Sequence, residues 1–367
     1  QTGLWVNQDT SGRITIHQKE FIDNIKENHI SSERRKQRTE KLTDSEMTSL
    51  RGALGEIQWV ATQTLPRYQA QCSIFQSSGP NATVETLFGI NKLIRQIKVD
   101  PNYKLTFEPF EGKAVVVGWS DAAWANRPDG LSTGGYVIGI APEGILDGKR
   151  TPVGWVSHRS GKLQRVARSS LAAEVQALTV AEDELFMVRM MWAELNGFVS
   201  DVVSGTASAG RELRPMIEGV REVQACLCVG AKSIYDCLAK QVQMQSLAEK
   251  RTALELMAFE RCIEETGLVV RWCHSEANLS DSLTKATAYG PIELYMRTGC
   301  WVLAHDEEQL SAKKRKERGL TRFETNKKDF AGLIREAFKN ADIALPVNGD
   351  AEDNKDEVCG EPPNQDV

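Results

Sequence analysis

Apolar and polar positions along this chain change period several times, and each change marks an element. Within the first twenty residues, GLWVNQ and GRITIHQKE flank the turn residues Asp9, Ser11 and Gly12, which predicts two short strands. Residues 33–44 (ERRKQRTEKLTD) are densely charged and read as a linker or exposed turn. Over residues 45–76, Leu50, Leu54, Ile57, Val60 and Ala61 recur at helical spacing. Ser78-Gly79-Pro80-Asn81 breaks that run, and residues 82–98 predict a second helix ending in the basic segment KLIRQIK. By pattern alone this is a helical hairpin with a solvated basic face.

From residue 104 the period shortens. KAVVVGWS (113–120) predicts a buried strand ending at Asp121, and GGYVIGIA (134–141) and PVGWVSHRS (152–160) follow at hairpin distance. Ser169 or Ser170 can cap a long helix carrying Leu171, Val175, Leu178, Leu185, Val188, Trp192 and Leu195, with Asn196-Gly197 as its stop. VQACLCV (223–229) predicts a buried strand bounded by Gly230. Helices are expected over about 231–245 and 246–265, the second closed by Gly267, then a last strand LVVRWCH (268–274) and a helical region from NLSDSLTK onward, with Asp281 at its start. Three sequential hairpin strands followed by strand–helix alternation imply an α/β fold, a mixed five-stranded sheet with helices on its faces. The expected division is a helical segment over 1–100, the α/β domain over 104–300 and a charged, largely disordered tail over 301–367, with a basic run KKRKER at 313–318.

Composition narrows the function classes. Hydrophobic residues make up 41% and charged residues 26%, an ordinary balance for a globular chain. No stretch approaches the roughly 18 uninterrupted apolar residues that a membrane span needs. The chain opens on Gln1 without a basic-then-apolar leader, and is expected to be a piece of a longer open reading frame. Eight cysteines at irregular spacing suggest free thiols in an intracellular, reducing compartment rather than a disulfide framework. The formal charge of -5 argues against a uniformly basic nucleic-acid binder and leaves room for a local basic groove. Cys226, Cys228 and Cys237 with His274 lack a second metal-ligand pair, so alternating core cysteines are the better reading than zinc. Trp119, Trp124, Trp155 and Trp272 read as core. There is no Y-x-D-D-like segment for polymerase chemistry and no G-x-x-x-x-G-K-[ST] run for nucleotide hydrolysis.

The chemistry rests on carboxylates. Asp121, Glu174 and Asp281 fall at strand ends or at the starts of helices facing them, where acids in a mixed sheet can converge; Gly230 ends the remaining strand of that mouth. Each acid alone is more often a turn, surface or helix-start residue; only their joint pattern suggests a site that holds two divalent ions for phosphodiester hydrolysis. Arg165, Arg168 and Ser169, just before the Glu174 helix, are candidates to touch substrate phosphates, or simply a capped basic turn. His274 reads as a polar strand-end residue and Asp236 as an exposed or capping helix residue.

In order along the chain stand LRGALGEIQWVATQTLP (50–66), SDAAWA (120–125), STGGY (132–136), GWVSHRSGKLQ (154–164), RSSLAAEVQAL (168–178), GAKSIYD (230–236) and SDSLTK (280–285). The ordered set resembles the C-terminal part of a copia-type LTR retrotransposon polyprotein: the end of the reverse transcriptase region followed by its RNase H domain. That resemblance implies an RNase H-like domain preceded by a thumb or connection remnant. It implies two magnesium or manganese ions, with Asp121 bridging both, Glu174 and position 230 serving mainly one and Asp281 the other. The implied partners are an RNA–DNA hybrid, whose RNA strand is cut, and the upstream polymerase portion of the same polyprotein; no membrane is implied. The departure is Gly230, which offers no side-chain oxygen where the pattern has an acid. An impaired nuclease and an inactive nucleic-acid-binding or structural relic are the two expectations that follow.

Overall fold

A computed structural model describes residues 3–100, 102–198, 209–239, 247, 249–273, 277–285 and 290–303. His274 and the tail from residue 304 lie outside the described residues. The chain starts with strands β1 (Trp5–Gln8) and β2 (Ile14–His17) and a short helix α1 (Lys19–Asn24). Helices α2 (Asp44–Gln63), α3 (Gln69–Ser78) and α4 (Val84–Lys98) follow. A capping box starts α2: Thr43 accepts from the Glu46 N–H, and the Glu46 carboxylate accepts from the Thr43 N–H. Its apolar stripe, Leu50, Leu54, Ile57, Val60 and Ala61, is buried. Strand β3 (Lys104–Phe107) returns to pair with β2, so the small sheet has three strands where two were expected.

The main sheet comprises β4 (Ala114–Ala123), β5 (Thr133–Pro142), β7 (Gly154–Lys162), β8 (Ala225–Val229) and β9 (Val269–Trp272). Its order is β7-β5-β4-β8-β9, with β4, β5 and β7 antiparallel and β8 and β9 parallel to β4. This is the RNase H-like arrangement: a mixed five-stranded sheet with helices on its faces. Asp121 lies inside β4 rather than after it, because pairing with β5 continues to Ala123.

Alternation along β4 divides the interior. Val115, Val117 and Trp119 join a core that also contains Ile57 of α2, Ile90 of α4 and Tyr295. Val116 joins a second core under α5 (Ser170–Leu195), with Leu178 and Leu185. The helices before residue 100 therefore share a core with the sheet. Helix α6 (Ala209–Glu222), absent from the sequence expectation, then α7 (Lys232–Ala239) and α8 (Lys250–Thr266) complete the α5 side. Gly267, at φ +69°, ends α8 as expected. Helix α9 (Gly290–Thr298) leads to β10 (Cys300–Trp301), which pairs with β6 (Thr151–Pro152). Trp301, Val302 and Leu303 are buried, so the core runs past residue 300. Among the described residues no helix is long and apolar enough to cross a membrane.

Candidate active site

Asp121 projects from β4 opposite Gly135 of β5. That glycine makes room: a Cβ there would lie 2.8 Å from Leu283 Cβ and 3.1 Å from Thr284 Cγ2. The segment after β9 therefore seats directly against the sheet beside Asp121. Its residues Leu279–Leu283 form a 3-10 turn, not the start of a longer helix. Asn278 caps that turn, its Oδ1 accepting from the Ser280 N–H (3.1 Å) and hydroxyl (2.7 Å). Leu279 and Leu283 are fully buried and anchor it.

Glu174 stands one turn into α5, whose N-cap Ser169 accepts from the Ala172 N–H at 3.1 Å. Its carboxylate lies within the influence of the Ala122 N–H and of the charges of Asp121 and Asp281. The three acids thus face one mouth. Burial, with Asp281 nearby, pushes Asp121 up to about 6, against the attraction of Lys285. Burial and then Asp121 push Glu174 up to about 9.

Three residues that sequence reasoning passed over, Lys285, Thr284 and Asn278, complete the arrangement. Lys285 Nζ lies 3.7 Å from Asp121 Oδ2 and forms an ion pair with Asp281 Oδ1. Burial opposes its charge, but Asp121, Asp281 and Glu174 outweigh burial and raise its pKa. The Thr284 hydroxyl donates to Asp121 Oδ2. The third is Asn278. Gly230, at the end of β8, borders the same mouth, and a Cβ on it would lie 2.9 Å from Asn278 Nδ2 and 3.1 Å from Asp121 Oδ1. The Asn278 amide fills the space of a side chain at 230 and donates to the Ser120 carbonyl at 3.2 Å. The sequence signals were a lysine four residues after Asp281 and an asparagine in a capping position before it.

Among the described residues no group of three or more His, Cys, Asp or Glu is placed to hold a metal ion. The chemistry of the donor set agrees: an ammonium lies against two carboxylates and an amide takes the place of a fourth acid. The site in this form does not fit a divalent ion.

No protein-family model matches this chain, and no curated protein matches it. Among solved structures it is similar to the foamy viral protease-reverse transcriptase in complex with RNA/DNA hybrid, at 9% identity and a TM-score of 0.24. The likeness covers 55% of this chain and 25% of that one. A likeness so distant carries no weight for function.

Two of the remaining candidates have local partners. Arg165 ion-pairs with Glu255 of α8, Ser169 caps α5, and Arg168 is exposed. Asp236 is half-buried, more than a turn into α7. Cys226 and Cys228 are buried free thiols in β8, held well above the usual thiol range. Their place in the strand explains the C-x-C spacing.

Proposed function

We propose that this chain is a retroelement-derived RNase H-like domain, of copia-type descent, that binds RNA–DNA hybrid but has lost efficient cleavage of its RNA strand. The observation that carries the reading is that Gly230 and Lys285 both border Asp121: a glycine stands where an acid would, and an ammonium ion-pairs with the acids that remain. Three acids face one mouth in the manner of a phosphodiester hydrolase, but the fourth position is glycine and a lysine ammonium balances the charge. In the ancestral site two magnesium or manganese ions would be held by Asp121, Glu174, Asp281 and an acid at 230, and would activate water and stabilise the leaving oxygen. Loss of one anionic group weakens the positioning of the scissile phosphate, and positioned charge is usually the largest catalytic contribution. The helices before residue 100 represent the end of a polymerase region, and the upstream portion of that polyprotein is the natural partner. Free thiols suit a reducing, intracellular setting.

The test is hydrolysis of a labelled RNA–DNA hybrid in magnesium. The unaltered chain is expected to cut at background. A chain carrying both Gly230→Asp and Asn278→Ser is expected to cut at least about 10²-fold faster, and adding Asp121→Asn is expected to abolish the gain. Brisk cutting by the unaltered chain, lost in Asp121→Asn, would overturn the reading and make Asp236 the next residue to test.

A further inference from the structure

Between the helices before residue 100 and the edge strand β7 lies a cleft of about 630 Å3. Helices α2 and α3 form one wall and the sheet forms the other. Gln69 and Ser73 line it from α3, and Arg127, His158, Arg159 and Lys162 line it from the sheet side. Three of these side chains are cations, and among the described residues no carboxylate lines the cleft, although the chain carries a formal charge of -5.

One carboxylate, Asp129, faces two of the three cations. Arg127 is 6% exposed, and its guanidinium donates to the hydroxyls of Ser73, Ser77 and Thr133. These neutral partners satisfy its N–H groups and leave its charge. Among the described residues Arg159 forms no ion pair with a carboxylate, while Lys162 has Asp129 at 4.0 Å. Asp129 is also the carboxylate that acts on Arg127. His158, pushed down to about 4 by burial, is neutral and bonded to Gln69 at 3.0 Å.

The cleft adjoins the acids. Asp121, Gly135 and Ser160 are opposed in one row across β4, β5 and β7, which puts the cleft floor roughly 10 Å from Asp121 at the usual strand spacing. That is about three nucleotide rises. A polar chain joins the two places: Arg127 donates to Thr133 (3.1 Å), Thr133 to Asn126 (2.9 Å) and Asn126 to the Thr284 carbonyl (3.0 Å). The Thr284 hydroxyl donates to Asp121. Arg159 and Lys162 are three residues apart on the edge strand, so about 10 Å separates their backbones and their side chains leave it on opposite faces, both reaching the cleft around the edge. That spacing suits successive groups of a polyanion better than one small anion.

We infer that this cleft holds the phosphodiester backbone of a nucleic-acid strand whose neighbouring nucleotides lie over the acid mouth. The inference rests on the nucleic-acid reading of that mouth, and it moves backbone contact from Arg165, which Glu255 occupies, to Arg159 and Lys162. The full chain is titrated with a fluorescein-labelled RNA–DNA hybrid in EDTA, by anisotropy, across a salt series. Arg159→Gln with Lys162→Gln is expected to weaken binding at least about 10-fold at low salt and to reduce the slope of log K against log salt by about 2, near 0.9 for each lost phosphate contact. Arg95→Gln, on the far helix, is the control and is expected to change neither. Both cleft residues are exposed, so the double variant is expected to melt like the parent. An unchanged affinity and slope in the double variant, or no binding by the parent, overturns the inference. EDTA separates this result from catalysis: brisk cleavage by the parent in magnesium would overturn the catalytic reading and leave the cleft standing.

Discussion

Gly230 and Asn278 share one volume: a Cβ on the glycine would lie 2.9 Å from the asparagine amide nitrogen. The missing acid is thus not an open gap. Asn278 fills it, ties the 3-10 turn to β4 through the Ser120 carbonyl, and is fully buried. Gly230→Asp alone must displace that amide, leave the carbonyl unpaired and add a carboxylate beside Asp121. It is expected to destabilise the chain by about 2 kcal/mol and to restore little cleavage. Adding Asn278→Ser clears the space while keeping a capping side chain, and is expected to recover most of that stability. Urea midpoints of the single and double variants check this; equal midpoints would show that Asn278 yields freely.

Lys285 is the cation of the acid mouth, shared between Asp121 and Asp281. Magnesium is therefore expected to leave the melting temperature of the unaltered chain unchanged. Lys285→Gln removes the counter-charge and is expected to cost about 1–2 kcal/mol, a discounted figure because the lysine side chain is 45% exposed. In that variant millimolar magnesium is expected to raise the melting temperature again. Melts of both chains with and without magnesium decide it: a magnesium shift in the parent equal to that in the variant rules out the lysine as the resident cation.

Local pattern revealed the main sheet and the long helix because each of those elements carries its own period. Val115 to Trp119 alternate between two cores, and Ser169 caps α5 where its run begins. What stayed hidden depends on partners far along the chain. Strand β3 is four residues long and pairs with β2 some 90 residues earlier, so nothing beside it announces it. Asp281 was expected at a helix start. The turn around it is set by Asn278 and by the space over Gly135, and both require the folded sheet. Lys285, four residues after Asp281, reads in sequence as an ordinary helix-surface pair. Only β4 beside it brings Asp121 within reach.

Glu174 sets a pH dependence. Its pKa rises from the ordinary 4.5 to about 9 on folding, through burial and then Asp121. Between those values the folded chain holds a proton that the unfolded chain has lost, so this contribution to stability declines as pH rises through the window and is gone above about 9. Asp121, raised to about 6, acts in the same direction at lower pH. His158, lowered from 6.5 to about 4, acts in the opposite direction there. From pH 6.5 to 9 Glu174 alone of the three still titrates, and stability is expected to fall by at most about 3 kcal/mol. Glu174→Gln is expected to flatten that limb. Urea midpoints against pH for both chains give the answer, and parallel limbs would remove Glu174 as the cause.

Arg189 is 1% exposed on the α5 face away from the cleft. Its guanidinium donates to the carbonyls of Val220 (2.9 Å), Val223 (3.0 Å) and Thr266 (2.9 Å), which are 31, 34 and 77 residues away. Val220 lies in the last turn of α6 and Thr266 ends α8, so one cation faces the negative ends of two helices; the Val220 carbonyl also accepts from the Val223 N–H at 3.1 Å, whereas the Val223 and Thr266 carbonyls depend on the guanidinium. Burial lowers its pKa to about 10, which leaves it charged at neutral pH. Arg189→Met keeps the apolar stem and removes the donors, so it is expected to cost about 2 kcal/mol or more, near 1 kcal/mol for each of the two carbonyls it strands. Arg189→Lys, with a point charge that cannot span three acceptors, is expected to fall between. Hydrogen exchange is expected to speed up first over α6 and the C-terminal turn of α8 in the Met variant, while hybrid binding at low temperature stays at the parental value. A loss under about 1 kcal/mol with exchange unchanged in α6 would mean that packing, not this arginine, holds the helix ends.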